Sequence, residues 1–111
     1  MIQEVSEAEL QEHIRTTGVP LIEFGTLWCP PCRTLLPILD ELANDLSDEA
    51  VTIIQINCDS SPHAAAAHGV MSTPTVVLYK DGQAVDKLVG LRPKGIYKSL
   101  IDQHLIEADR S

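Results

Sequence analysis

The spacing of apolar residues along the chain predicts alternating helices and strands. Apolar residues recur every three or four positions over about 7–16, 31–46 and 94–107, with charged residues between them. That periodicity is typical of amphipathic helices. Short apolar runs at 20–26 and 51–58, each bounded by turn-forming or polar residues, are typical of strands buried on both faces.

The rest of the pattern completes a mixed sheet. It predicts a short helix within 61–69 and two β runs at 74–80 and 83–90. Asp81-Gly82, between those two runs, is the strongest short signal for a hairpin. Strand–helix–strand units followed by a hairpin predict an α/β fold with a central mixed β-sheet flanked by helices on both faces. The sheet has four strands, or five if residues 2–5 add a short edge strand.

Composition and charge indicate the number of domains and argue against some classes of partner. The chain has 111 residues, of which 44% are hydrophobic, so we expect a single domain, 1–111, with one core. Its 16 acidic and 8 basic residues give a net charge of -8, which would repel nucleic acid and anionic membranes. Neither a signal-peptide pattern nor an apolar run of membrane-spanning length occurs in the sequence. We therefore expect a monomeric cytoplasmic protein without a nucleic-acid or membrane partner.

Two cysteines stand where the first long strand leads into the second helix. Helix N-terminal N–H groups and the helix dipole favour a thiolate at this place. Cys29 is the outer of the two and is the natural nucleophile towards a foreign disulfide. Cys32, one turn along, can then attack the mixed disulfide and release the reduced product. The pair therefore predicts thiol–disulfide exchange.

Other interpretations of the cysteines remain open. A structural disulfide between Cys29 and Cys32 closes so short a loop that it would stabilise the fold by only about 2 kcal/mol. A metal site could use this pair with Cys58, but the four histidines are scattered and form no second close pair. Cys58 itself, at the end of its strand, is an apolar filler, a regulatory thiol or a metal ligand.

Three prolines surround the pair. Pro30 and Pro31 fall on the first helical positions, where the backbone N–H has no partner inside the helix, so their missing donors cost the helix little. Pro30 also favours the extended conformation that a cap residue at Cys29 needs. Pro37 lies inside the helix and should kink it.

Taken together, these residues resemble the thioredoxin family over nearly the whole chain. "WCPPC" at 28–32 is similar to the family's active-site motif, and Pro37 to its helix proline. "STPT" at 72–75 is similar to its cis-proline loop, and "VG" at 89–90 to the glycine before its last helix. The resemblance implies a thioredoxin fold and a protein-disulfide reductase without a bound cofactor. Its electrons would come from NADPH through a separate thioredoxin reductase, and its substrates would be disulfide-containing client proteins.

The resemblance also assigns an acid to the site. Glu23 matches the family's buried acid, which is usually an aspartate and accepts the proton of the resolving cysteine, here Cys32. A carboxylate in an apolar strand is costly to ionise, so we expect its pKa to rise. The family's nearby lysine is replaced by Gln55, which should make Glu23 still harder to ionise. The family's second tryptophan is replaced by Gly25, which should loosen packing beneath the active loop or widen its rim.

The remaining site residues would bind the client. Thr73-Pro74 matches the family's substrate-facing peptide, and a cis bond there would expose the Thr73 backbone to an extended client chain. The predicted substrate-binding residues are Trp28, Pro30, Pro31, Thr73, Pro74 and Gly90.

Two other functions are compatible with the same residues. One is a thioredoxin-fold binding or regulatory module with little turnover, favoured by the replacements at Gly25 and Gln55. The other is a metal-binding carrier, which would use the cysteines as ligands.

Overall fold

The computed structural model describes residues 2–110, with side chains through residue 105, and contains a five-stranded mixed sheet. The strands are β1 (Gln3–Glu4), β2 (Val19–Gly25), β3 (Val51–Asn57), β4 (Thr75–Lys80) and β5 (Gln83–Val89). The helices are α1 (Glu7–Ile14), α2 (Pro30–Asp45), α3 (Pro62–Ala67) and α4 (Lys94–Arg110). The predicted α/β fold and element order are confirmed, and the short edge strand is the fifth strand.

The strands lie in the order β1-β3-β2-β4-β5. β1, β3 and β2 are parallel, whereas β4 is antiparallel to both β2 and β5. The β4–β5 hairpin turns through Asp81 and Gly82, whose φ angles of 54° and 79° are both in the left-handed region. Such a pair suits the two-residue turn that the Asp-Gly sequence predicted. β2 is central and buried along its whole length.

The core consists of two apolar layers, one on each face of the sheet. On one face Leu21 packs in a cluster with buried apolar residues of α2 and α4, among them Leu35, Leu39, Leu42, Tyr97 and Ile101. On the other face Ile22 packs in a cluster with residues of α1 and α3, which are Leu10, Ile14 and Ala64. Because successive strand residues face opposite sides, one apolar strand supplies both layers. Each fully buried aliphatic side chain stabilises the fold by about 1.5–3 kcal/mol.

The observed ends of the elements differ slightly from the predicted ones. α1 stops at Ile14 rather than at residue 16, and β2 begins at Val19 rather than at residue 20. Pro20 is tolerated inside β2 because pairing with β4 begins only at Leu21, so Pro20 has a neighbouring strand on one side. α4 continues to Arg110 instead of ending near residue 107. None of the helices in the described part of the chain has the length and apolar character needed to cross a membrane.

Candidate active site

Several chain segments meet at one end of the sheet, around the cysteine pair. β2 and β3 run parallel, so both finish at this end, at Gly25 and Asn57. β4 runs the opposite way and begins here at Thr75, while β5 finishes here at Val89. The loops that follow β2 and β5 and the loop that precedes β4 are therefore neighbours, which agrees with the placement of sites at strand ends in open α/β folds.

The cysteine pair occupies the N-terminus of α2. Cys29 is the N-cap residue in an extended conformation, and its Sγ accepts a hydrogen bond from the Cys32 N–H at 3.3 Å. The two residues form a disulfide, with their Cα atoms 5.2 Å apart. Cys32 is 0% exposed, whereas Cys29 is only half-buried. Cys29 is thus the member of the pair that a partner molecule can reach.

The prolines lie where the sequence predicted. Pro30 and Pro31 are the first two residues of α2, and Pro37 lies inside the helix, which continues to Asp45. The first backbone bond of the helix after the prolines runs from the Arg33 N–H to the Cys29 carbonyl, at 3.1 Å. Pro30 and Pro31 therefore lack only donors that the first turn of a helix leaves without an intrahelical partner.

The Thr73-Pro74 peptide lies against the pair. Its bond is cis, as the resemblance implied. The Thr73 carbonyl oxygen lies 3.5 Å from Cys29 Sγ, and the Pro74 carbonyl accepts a hydrogen bond from the Gly90 N–H at 2.8 Å. Gly90 has a φ of 88°, which favours glycine. Three of the predicted substrate-binding residues are thus brought together beside Cys29: Thr73 and Gly90 are half-buried, whereas Pro74 is buried beneath them.

Glu23 lies beneath these residues, in β2. Its side chain is 0% exposed, and neither carboxylate oxygen has a hydrogen-bond partner among the described residues. Burial raises the pKa of Glu23 to about 7, and the amide of Gln55, its partner across β2 and β3, offsets only part of that rise. The prediction that burial would raise the pKa is therefore confirmed.

The Glu23 carboxylate lies close to the buried sulfur. An ideal Cβ placed on Gly25 would be 2.1 Å from Glu23 Oε1 and 3.2 Å from Cys32 Sγ. The carboxylate and the sulfur therefore flank the same small space above Gly25. The prediction of loose packing at Gly25 does not hold on this face of β2, because the end of the Glu23 side chain fills the space that a side chain at position 25 would occupy.

Exposed apolar side chains are concentrated around the pair. Trp28 is 82% exposed, and Met71, in the loop before Pro74, is 97% exposed. Leu91, directly after Gly90, is also exposed. The sequence analysis missed Met71 and Leu91, although their proximity in the chain to Pro74 and Gly90 was the available signal. Exposed apolar area of this kind is typical of a surface that binds other proteins.

Cys58 is not part of the disulfide. It is half-buried and packs against the apolar cluster of α1 and α3, and its N–H donates to the Gly25 carbonyl at 2.9 Å. Burial, with smaller contributions from the charges of Glu23 and Asp59, raises its pKa. A raised pKa disfavours the reactive thiolate, so these features favour the apolar-filler interpretation. The described residues contain no group of three or more His, Cys, Asp or Glu side chains arranged to hold a metal ion.

Comparison with known proteins agrees with the geometry. The thioredoxin family model matches residues 1–103. Thioredoxins of Staphylococcus aureus and Staphylococcus haemolyticus are each 40% identical to the chain over 104 residues, which is 94% of this chain and 98% of theirs.

Solved structures of thioredoxins share the fold. A thioredoxin variant from Halobacterium salinarum superposes with a TM-score of 0.84 at 32% identity, covering 93% of this chain and 89% of that one. The thioredoxin of Plasmodium falciparum gives 0.83 at 26% identity, covering 93% and 99%. With its Cys29–Cys32 disulfide at the N-terminus of α2, this chain belongs to the thioredoxin family, whose members are protein-disulfide oxidoreductases.

Proposed function

We propose that the protein reduces disulfides of client proteins, with Cys29 as nucleophile, Cys32 as resolving cysteine and Glu23 as proton acceptor. The observation that carries this assignment is the unequal exposure of the pair: Cys29 is half-buried at the protein surface, and Cys32 is completely buried. Cys29 can therefore reach a client sulfur, whereas Cys32 can attack only within the molecule, at the sulfur of Cys29.

The reaction begins with both cysteines reduced. The Cys29 thiolate, stabilised by the Cys32 N–H and by the N-terminus of α2, attacks one sulfur of the client disulfide. A Cys29–client bond forms, and the other client sulfur leaves as a thiolate. Cys32 Sγ then attacks Cys29 Sγ, which expels the second client thiolate. The client has gained two electrons, and the protein holds the Cys29–Cys32 disulfide.

Glu23 would take part in the second step. Cys32 must lose its proton before it attacks, and its buried sulfur has little access to water. Glu23 lies next to that sulfur, and its pKa of about 7 suits a group that accepts a proton near neutral pH and gives it up again. The carboxylate therefore keeps the Cys32 proton inside the site until the disulfide closes.

The cycle needs a source of electrons. Family membership supports a thioredoxin reductase as the partner that returns the disulfide to the dithiol, with NADPH as the electron donor. A cytoplasmic location is part of this proposal, because thiols are kept reduced there.

The direct test is the reduction of insulin by dithiothreitol. The protein in catalytic amounts is expected to accelerate the appearance of turbidity from the released insulin chain. The matched control is the same protein after reduction and alkylation of its cysteines, which should give no acceleration. A wild-type rate equal to that of dithiothreitol alone would exclude the reductase function and favour a binding module.

A second prediction concerns client binding. Trp28→Ala should raise the KM for insulin by about tenfold, because a large exposed aromatic beside the reactive sulfur is a typical binding hot spot. Reduction of a small aromatic disulfide should change little, since such a substrate needs less of the surface. Val85→Ala, an exposed apolar position near the β4–β5 turn at the other end of β5, serves as the control. Equal KM values for wild type and Trp28→Ala would remove Trp28 from the client surface.

A further inference from the structure

The space above Gly25 is occupied by the side chain of another residue. The position of an ideal Cβ on Gly25 lies 2.1 Å from Glu23 Oε1 and 3.0 Å from Glu23 Cδ. Real Cβ atoms do not approach other heavy atoms so closely, so alanine at position 25 and the observed Glu23 conformation exclude each other. The third neighbour of that position is Cys32 Sγ, at 3.2 Å.

Strand geometry explains this overlap. Glu23 and Gly25 are two residues apart in β2, so both face α2, the helix that carries Cys32. The backbone of Gly25 does not need glycine, because the glycines with left-handed φ angles are Gly18, Gly69, Gly82 and Gly90. The requirement for a small residue at position 25 therefore comes from the space above it.

We propose that Gly25 is a positioning residue for the reaction: its missing side chain provides the space in which Glu23 holds its carboxylate beside Cys32 Sγ. This inference rests on the proposed role of Glu23 as proton acceptor and adds a second residue to that role. A glutamate is one methylene longer than an aspartate, and Gly25 leaves room for that extra length on the side where the buried sulfur lies.

Apart from the side-chain amide of Gln55, which lowers the pKa of Glu23 and so favours its charged form, the surroundings offer little to fix the carboxylate. Across the sheet it faces Gln55 on β3 and Val76 on β4, and Cys32 on α2 lies next to it. Its charge also contributes to the raised pKa of Cys58 and of Tyr97 on α4, after burial as the main cause. These neighbours are uncharged near neutral pH, and neither carboxylate oxygen has a hydrogen-bond partner among the described residues. The available space, together with the amide of Gln55, thus determines where the carboxylate lies.

The test is Gly25→Ala, which the fold should tolerate. The first atoms that the new methyl group meets belong to the end of a side chain rather than to the backbone. The Glu23 carboxylate must then turn away from Cys32. We expect the rate of disulfide closure to fall by about tenfold, less than the roughly hundredfold or more that losing a general base costs, because the carboxylate is displaced rather than removed. Its pH profile should also shift.

The measurement is a single turnover of reduced protein with insulin, at concentrations where the rate no longer rises with insulin and disulfide closure limits it. Trp28, the only tryptophan of the chain, reports closure by its fluorescence. Gly95→Ala is the matched control, because a Cβ there meets nothing within 4 Å and the backbone is not left-handed. It should leave the rate and the pH profile unchanged.

Rescue by a shorter acid separates positioning from a general structural effect. Glu23→Asp withdraws the carboxylate from the space above Gly25. In that background Gly25→Ala should slow closure by less than about twofold, so the two substitutions are strongly non-additive. The proposal is overturned if Gly25→Ala leaves both the rate and the pH profile of the wild type unchanged. It is also overturned if Gly25→Ala slows closure equally in both backgrounds. Either result would leave the reductase function intact, provided that wild type reduces insulin.

Discussion

The Cys29→Ser variant is expected to lose insulin reduction by more than about a thousandfold, as happens when a catalytic nucleophile is removed. The Cys32→Ser variant is expected to complete the first attack and then stop. Its half-buried Cys29 remains at the α2 N-terminus, but no second sulfur is left to release the client. The variant should therefore accumulate as a mixed disulfide with one client chain per protein molecule.

Mass spectrometry under non-reducing conditions measures the trapped species, and dithiothreitol should release it. Cys58→Ser is the matched control, because it removes the third thiol, which is half-buried outside the pair. It should keep turnover and form no stable adduct. A stable adduct of Cys29→Ser, with none for Cys32→Ser, would reverse the roles of the two cysteines.

Much of this site could be predicted from local sequence. A cysteine that precedes two prolines and an amphipathic run must lie near a helix N-terminus, and Cys29 is the N-cap of α2. The Asp81-Gly82 turn likewise follows from residues that readily adopt left-handed φ angles. Such features depend on neighbours in the chain, and the rules for them need no knowledge of the tertiary structure.

Other features depend on how distant segments pack. The sequence indicated that Gly25 replaces a large residue, but not that Glu23 would fill the space, because this depends on where α2 places Cys32 above β2. The exposure of Met71 has the same origin, since its nearness to Pro74 in the chain indicates that it lies close to the site but not whether its side chain is exposed or buried. The sequence thus predicted a buried carboxyl group with a raised pKa at Glu23, but not its position above Gly25 and beside Cys32.

The buried Glu23 carboxyl also predicts how stability depends on pH. In the unfolded chain it ionises near its ordinary pKa of 4.5, and in the fold near 7. Below pH 4.5 it is protonated in both states, and its contribution to stability is fully present. Between the two values the unfolded chain loses the proton while the folded protein keeps it, so stability falls as pH rises, and above about pH 7 the loss is complete. At 1.36 kcal/mol per pKa unit the loss amounts to about 3 kcal/mol.

Glu23→Gln should remove this dependence, because an amide of nearly the same shape does not ionise. Denaturant unfolding of the oxidised protein between pH 4 and 9 measures it, and the disulfide keeps the two cysteines from titrating. His68, whose pKa burial lowers, acts in the opposite direction over part of this range. The decisive quantity is therefore the difference between wild type and Glu23→Gln, with the exposed Glu12→Gln as control. If that difference stays constant across pH 4.5 to 7, Glu23 ionises in the folded protein near its ordinary pKa of 4.5 and cannot hold the proton of Cys32 as proposed. If it changes by about 3 kcal/mol, the pKa of Glu23 in the fold is close to neutral, as a proton acceptor beside Cys32 requires, and the folded protein loses that much stability at neutral pH because it buries this carboxyl group.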